Sequence, residues 1–197
     1  MKDPTPIIAL LESLKDDDEL YVRRSVANNL NDIAKDNPDV VAAIAHRWLE
    51  NAGPARRKLV RHGLRSLIKS GHPEALKALG HCPPKIEIGQ FSLHQSEITL
   101  GGALHIEIEI ASTAPTDQPL IIDYIVHHMR ANGVTTPKVF KWKEITLKAN
   151  ATHEAVKRHP IRPITTRKYY TGAHRVELLI NGEKFGDNPF RLTVPQY

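Results

Sequence analysis

Residues 20–38, LYVRRSVANNLNDIAKDNP, and residues 54–73, PARRKLVRHGLRSLIKSGHP, are two copies of one pattern. Sliding the first onto the second by 34 residues pairs Arg23 with Arg57, Arg24 with Lys58, Val26 with Val60, Leu30 with Leu64, Ile33 with Leu67 and Lys35 with Lys69. Within each copy the apolar residues recur at helical spacing, Leu20, Val22, Val26, Leu30 and Ile33 on one inward stripe of the first, which predicts helices over 19–36 and 55–70. Asn37-Pro38 ends the first and Gly71 the second. A repeat of this length made of helices is the mark of an α-solenoid, in which each unit buries an apolar face that it cannot bury alone.

The flanking sequence completes the units. Ile7, Ile8, Leu10, Leu11 and Leu14 predict a first helix that starts at Asp3-Pro4 or Thr5-Pro6 and closes before the acidic turn 16–18. A third helix is expected from about 38 to 51, with Val40, Val41, Ile44, Trp48 and Leu49 inward, and a short fifth from His72-Pro73 to Gly80. After Cys82-Pro83-Pro84 the period changes to two. In Ala103 through Ile110, Leu104, Ile106, Ile108 and Ile110 share one face while His105, Glu107 and Glu109 share the other, the pattern of a half-buried antiparallel strand. Further strands are expected at 85–91, 119–129, 138–147, 152–158, 174–180 and 189–194, with a tight turn at Asn181-Gly182. About seven short strands point to an immunoglobulin-like β-sandwich. The expected chain is thus α+β and multidomain: a helical repeat domain of about two units, of the TPR, HEAT or armadillo kind, over 1–82, then an immunoglobulin-like β-sandwich domain over 83–197.

Composition narrows the function classes. Of 197 residues, 41% are hydrophobic and 25% charged, so the chain is neither disordered nor fibrous. No apolar run approaches the roughly 20 residues that span a bilayer, and acid stands where a secretory signal needs base, so no membrane partner and a cytoplasmic location are expected. One cysteine excludes an internal disulfide and a cysteine-cluster metal site, and no two of the eleven histidines have HExxH spacing, so neither a metal nor a cofactor is expected. Net charge is +5, concentrated in two blocks. Residues 47–69 hold Arg47, Arg56, Arg57, Lys58, Arg61, Arg65 and Lys69 against Glu50; residues 138–175 hold ten bases against Glu144 and Glu154. Two basic blocks suit one polyanion, while the plainer reading is two solvated faces.

The run Val22 through Pro38, followed by Val60 through Leu76, resembles the HEAT-like-repeat DNA alkylation repair glycosylases of the AlkC type. Some members continue into an immunoglobulin-like domain, and Lys141-Trp142-Lys143-Glu144 and Tyr169 through Gly182 are similar to it. The resemblance implies that the chain corresponds to the C-terminal half of such an enzyme, the DNA-binding part of an alkylpurine DNA glycosylase that is incomplete for catalysis without further helical repeats. Its implied partner is double-stranded DNA with alkylated purines, in the bacterial cytosol and at the nucleoid. The implied reaction is hydrolysis of the N-glycosidic bond of bases such as 3-methyladenine.

In members of that family the second helices of the repeats track the DNA backbone. That puts Arg23, Arg24, Arg57, Lys58 and Arg61 forward as DNA-binding residues, with Lys141, Lys143 and Lys168 from the β half. The same arginines also read as packing stems or surface pairs. An N-alkylated purine is already cationic, so its departure needs electrostatic stabilisation of the sugar more than leaving-group protonation. By resemblance Asp32 is the candidate catalytic carboxylate, with Asn28 and Asn29 beside it as DNA-binding neighbours; otherwise Asp32 pairs with a base such as Arg61 or Arg65. Trp48 reads as core, and Trp142 as either inward or a surface stacking residue. The rival function is a non-catalytic solenoid and immunoglobulin-like adaptor that binds protein. An uncapped solenoid end is also expected to favour a homodimer.

Overall fold

The protein is described by a computed structural model covering residues 3–195. It is an α+β chain that divides into two compact units, Met1–Cys82 and Pro83–Tyr197.

The first unit holds α1 (Thr5–Leu14), α2 (Leu20–Ile33), α3 (Pro38–Leu49), α4 (Pro54–Gly63), α5 (Arg65–Ser70) and α6 (Pro73–Ala78). Proline stands in the first turn of α3, α4 and α6, where its missing N–H has no partner to lose. α2 packs along α4, and α3 along α6. The core between them is built from Val26, Leu30, Ile33, Val41, Ile44, Trp48, Leu59, Val60, Leu64 and Leu76, all nearly inaccessible. Each such side chain stabilises the unit by about 1.5–3 kcal/mol relative to leaving it in water. Three residues of the expected stripes face solvent instead: Leu10, Leu20 and Val40 are 58%, 47% and 41% exposed. A polar joint ties α1 to α3. Glu12 Oε2 accepts from the buried Trp48 Nε1 at 2.6 Å and from Arg47 Nη2 at 2.9 Å, and Lys15 Nζ lies 3.1 Å from its other oxygen. Burial opposes ionisation of Glu12, but these three donors outweigh it and hold the carboxyl down at about 2.

The second unit has two sheets. One is three-stranded, with β1 (Ile86–Leu93), β3 (Ala103–Ser112) and β6 (Thr152–Pro160) in the order β1-β3-β6. The other joins β2 (Glu97–Thr99), β4 (Gln118–Met129), β5 (Thr135–Leu147), β7 (Gly172–Ile180) and β8 (Glu183–Thr193) in the order β2-β8-β7-β4-β5. All named pairings are antiparallel except β2 with β8. Leu104 and Ile106 of β3 share one buried cluster with Tyr124, Val126, Val176 and Phe190 of the larger sheet, so the two sheets face each other across a common core. Along β3 the alternation is strict, with Leu104, Ile106, Ile108 and Ile110 fully buried between half-exposed neighbours. Trp142 points inward, against both core clusters and edge-on to Tyr124. At the β7–β8 turn Asn181 and Gly182 both take positive φ, 47° and 80°. Asparagine adds something glycine cannot: its Oδ1 accepts from Ile121 N at 2.8 Å and its Nδ2 donates to Pro119 O at 3.2 Å, pinning the turn to β4. Among the described residues no helix is long and apolar enough to cross a membrane.

The single helix expected over 55–70 is bent at Leu64 into α4 and α5, although its ladder continues through Leu64 N to Val60 O at 2.9 Å and Ile68 N to Leu64 O at 2.8 Å. Gly63 sits at the bend, against α2. A Cβ there would lie 3.1 Å from Leu30 Cβ and 3.2 Å from Leu30 Cδ1. Leu30 Cβ is fixed to the backbone, so rotating a side chain does not relieve the crowding. Gly63→Ala should therefore lower the thermal midpoint of the helical unit: overpacking of about 1–3 kcal/mol outweighs the gain of about 1 kcal/mol in helix propensity. Thermal unfolding followed by the helical circular dichroism signal checks this, and a raised midpoint would contradict the close approach.

Candidate nucleic-acid interface

The α2–α4 packing leaves a groove of about 620 Å³ on the helical unit, lined by Leu20, Arg23, Arg24, Ala27 and Asn28 from α2 and by Pro54, Ala55, Lys58, Leu59 and His62 from α4. On α2 these positions recur at intervals of three and four, so they form one stripe; the α4 positions do the same. Ala27 and Leu59 are buried, which gives the groove an apolar floor. Its walls carry the charge.

Arg24 and Lys58 occupy equivalent positions 34 residues apart, are exposed, and make no hydrogen bond or ion pair among the described residues. Arg23 and Arg57 behave differently. Arg23 Nη1 donates to Asp17 O and, at 2.8 Å, to Asp18 O, while Arg57 Nε donates to Ala52 O at 3.0 Å. Each thus reaches back to the loop before its own helix, a matched device in the two repeats that occupies carbonyls of the preceding turn. Arg57 is also absent from the groove lining, and Arg61 is half-buried on α4 outside it. A uniform row of five equivalent phosphate ligands is therefore not what these helices display.

The polar candidates separate in the same way. Asn28 lines the groove, whereas Asn29 is exposed outside its lining and donates from Nδ2 to Ser25 O one turn back at 3.0 Å. Asp32 also lies outside the lining. Its side chain is 66% exposed, and its Oδ1 is 2.7 Å from Lys35 Nζ. Lys35, by hydrogen bond and charge, with a weaker pull from Arg65, holds the Asp32 carboxyl below its ordinary range. Pairing with a base thus occurs, but with Lys35, three residues on and just past the end of α2.

His62 is the groove residue that the charge and motif patterns passed over. Its Nε2 lies 3.1 Å from Asn28 Oδ1. His62 is the position equivalent to Asn28 under the 34-residue shift, so the register that reveals the repeat also contains this pair. In the β unit, Lys141 is exposed and 3.7 Å from Glu144, Lys143 Nζ is 3.1 Å from His153 Nε2, and Lys168 Nζ stands 5.6 Å from the centre of the Tyr170 ring. Burial, then the Lys143 charge, lowers the His153 pKa, so the ring is the neutral acceptor for Lys143. Among the described residues no group of three or more His, Cys, Asp or Glu side chains could hold a metal ion.

The two arginines that look alike in sequence should separate in solution. Arg23→Ala should cost the helical unit about 1–3 kcal/mol by removing the donors of the preceding loop, and Arg24→Ala no more than about 0.5 kcal/mol. Denaturant unfolding of the two variants measures the difference; equal stabilities would mean that the Arg23 hydrogen bonds contribute nothing.

Known proteins with related chains complete the description. Residues 87–194 match the family model described as "Uncharacterised protein YhaZ, C-terminal Ig-like domain". The uncharacterized protein YhaZ of Bacillus subtilis (strain 168) is 35% identical over 182 residues, which is 92% of this chain and 50% of that protein. The structure of Pseudomonas fluorescens alkylpurine DNA glycosylase AlkC, bound to DNA containing an abasic site analog, is 40% identical with a TM-score of 0.91 over 98% of this chain and 54% of that one. The chain thus spans about half the length of these relatives. With more than half of its residues inside that family match, the chain belongs to the family of the YhaZ C-terminal Ig-like domain.

Proposed function

We propose that this chain is the DNA-binding part of an alkylpurine DNA glycosylase acting in DNA alkylation repair, and that the α2–α4 groove receives the phosphate backbone of double-stranded DNA. The observation that carries this reading is the pair Arg24 and Lys58, unpaired cations at equivalent positions on adjacent helices, in a chain 40% identical to a glycosylase described in complex with DNA. Adjacent helices stand roughly 8–10 Å apart, and phosphates along one strand follow at intervals of the same order, so neighbouring repeats suit neighbouring phosphates. Asn28 adds a donor in the same groove, and Arg23, held by the Asp17 and Asp18 carbonyls, lines it as a positioning residue; Asn29, Arg57 and Arg61 belong to its flanks. In this reading the helical unit is HEAT-like and the β unit immunoglobulin-like, with Lys141, Lys143 and Lys168 as its DNA-binding residues.

Asp32 is the proposed catalytic carboxylate. Its low pKa keeps it anionic, as stabilising positive charge on the sugar requires. The alkylated purine leaves as a neutral base with the electron pair of the glycosidic bond, and water adds to the sugar carbon and loses its proton to solvent. The resemblance assigns the remainder of the lesion site to helical repeats ahead of this segment, so the reaction is proposed for the longer protein. Such a protein works in the cytoplasm, at the nucleoid. Leu10 and Val40 are apolar surface that additional repeats, or a second copy in a homodimer, would cover. The rival function, a protein-binding adaptor, would use the same groove for an acidic segment of a partner, and the salt dependence below separates the two.

Two measurements test the reading. Affinity for duplex DNA should fall steeply with salt, and Arg24→Ala with Lys58→Ala should reduce the slope of log K against log salt by about 0.9 for each phosphate that the variant no longer neutralises. A salt-independent interaction, or none at low salt, favours the adaptor. In a chain extended by the upstream repeats, Asp32→Asn should reduce release of methylated purine on the order of 100-fold while DNA affinity changes little. Unchanged release removes Asp32 from the mechanism.

A further inference from the structure

We propose that His62 is a phosphate-binding residue of the α2–α4 groove and that it takes up a proton as the phosphate docks. The proposal rests on the reading of the groove as a DNA site and adds to it a ligand and a pH dependence.

The geometry fixes the roles of the two ring nitrogens. Asn28 Oδ1 can only accept, so the 3.1 Å approach requires His62 Nε2 to carry a hydrogen. In the neutral ring Nδ1 is then a lone pair, which repels a phosphate oxygen. In the protonated ring Nδ1–H donates to it while Nε2–H keeps its bond to Asn28. The groove therefore takes phosphate at this point only together with a proton, and the Asn28 bond holds the ring in place in both states.

The surroundings set the direction of the change. Burial, then Arg65, then Arg24, lower the His62 pKa below the ordinary imidazole range, so the unliganded ring is neutral near pH 7. α2 contributes Arg24 and Asn28, with Arg23 further along the groove; α4 itself contributes Lys58 and bears Arg61 outside the groove; α5 contributes Arg65. α3, the third element packed on α4, bears Asp39, His46 and Arg47, and none of these acts on the ring. The Asp32 carboxylate of α2 is taken up by Lys35. Among the described residues no carboxylate acts on the ring, so the anion that favours the imidazolium comes from the ligand. A phosphate among these cations raises the His62 pKa relative to the free protein. By linkage, affinity rises as pH falls through the pKa of the bound state and levels off below that of the free state.

The test uses the full chain and a fluorescent duplex at constant ionic strength. Between about pH 8 and pH 5.5 the wild-type protein should gain up to about tenfold in affinity per pH unit within the coupled window, with net proton uptake in calorimetry run in two buffers of different ionisation enthalpy. His62→Gln, whose amide can still donate to Asn28, should lose most of that pH dependence and the proton uptake. His62→Arg should bind at about pH 8 as tightly as the wild type does at low pH, a gain that a misfolded variant would not show. Equal pH profiles for wild type and His62→Gln, with salt-sensitive binding intact, overturn the role of His62 and leave the DNA reading standing. Absence of DNA binding at any salt overturns both.

Discussion

The close approach of α2 and α4 is the constraint on which the helical unit depends. Gly63 lets Leu30 lie against the α4 backbone, and Val26, Leu30, Val60 and Leu64 fill the space on either side. Two helices held this near each other bring side chains of equivalent repeat positions within hydrogen-bond reach, as Asn28 and His62 show. Had residue 63 carried a side chain, the helices would stand further apart and the same residues would line a wider, wetter trough. Spacing set by packing thus becomes spacing of charge.

Much of this was legible in the residues. The 34-residue repeat announces that α2 and α4 are counterparts, and the switch in period after Cys82 marks where helices give way to strands. The short parallel strand β2 was not readable, because three residues are too few for alternation to register and their partner, β8, lies some ninety positions away. The bend at Leu64 was hidden too, since Arg65 through Ser70 keeps the helical pattern and only the crowding at Gly63 breaks it. Leu20 was misplaced for a related reason: three- and four-residue spacing identifies a stripe, but not whether its last member reaches the core or opens onto a groove.

The basic residues illustrate a sharper limit. Adjacent arginines in one helix point about 100° apart, so Arg23 and Arg24 cannot do the same thing. One is turned back to the loop that precedes its helix and the other is left without a partner. Arg57 and Lys58 repeat the division. Their recurrence in both copies suggests why the dipeptide is doubly basic: the first residue secures the turn that delivers the helix, and the second supplies the charge the surface presents. Composition counts both equally. Only hydrogen-bond partners separate a cation consumed by the fold from one available to a ligand.

The role proposed for Asp32 poses the opposite problem, since it needs an available carboxylate and the carboxylate is found in an ion pair. The pair is with Lys35, three residues on, and both side chains are about two-thirds exposed. Water and salt screen such a pair, and holding two mobile side chains together costs entropy, so it stands among the weakest of ionic interactions. Docked DNA can therefore draw Lys35 away without a significant cost. Asp32 would then remain anionic, because its open surroundings exert little pressure toward the neutral form. A lysine that exchanges a carboxylate for a phosphate leaves that carboxylate exposed, which is what the proposed role requires. The same exchange could not be made by Arg23, whose release would cost the loop its donors. Weak pairing at Asp32 and firm pairing at Arg23 are for that reason two sides of one division of labour along α2.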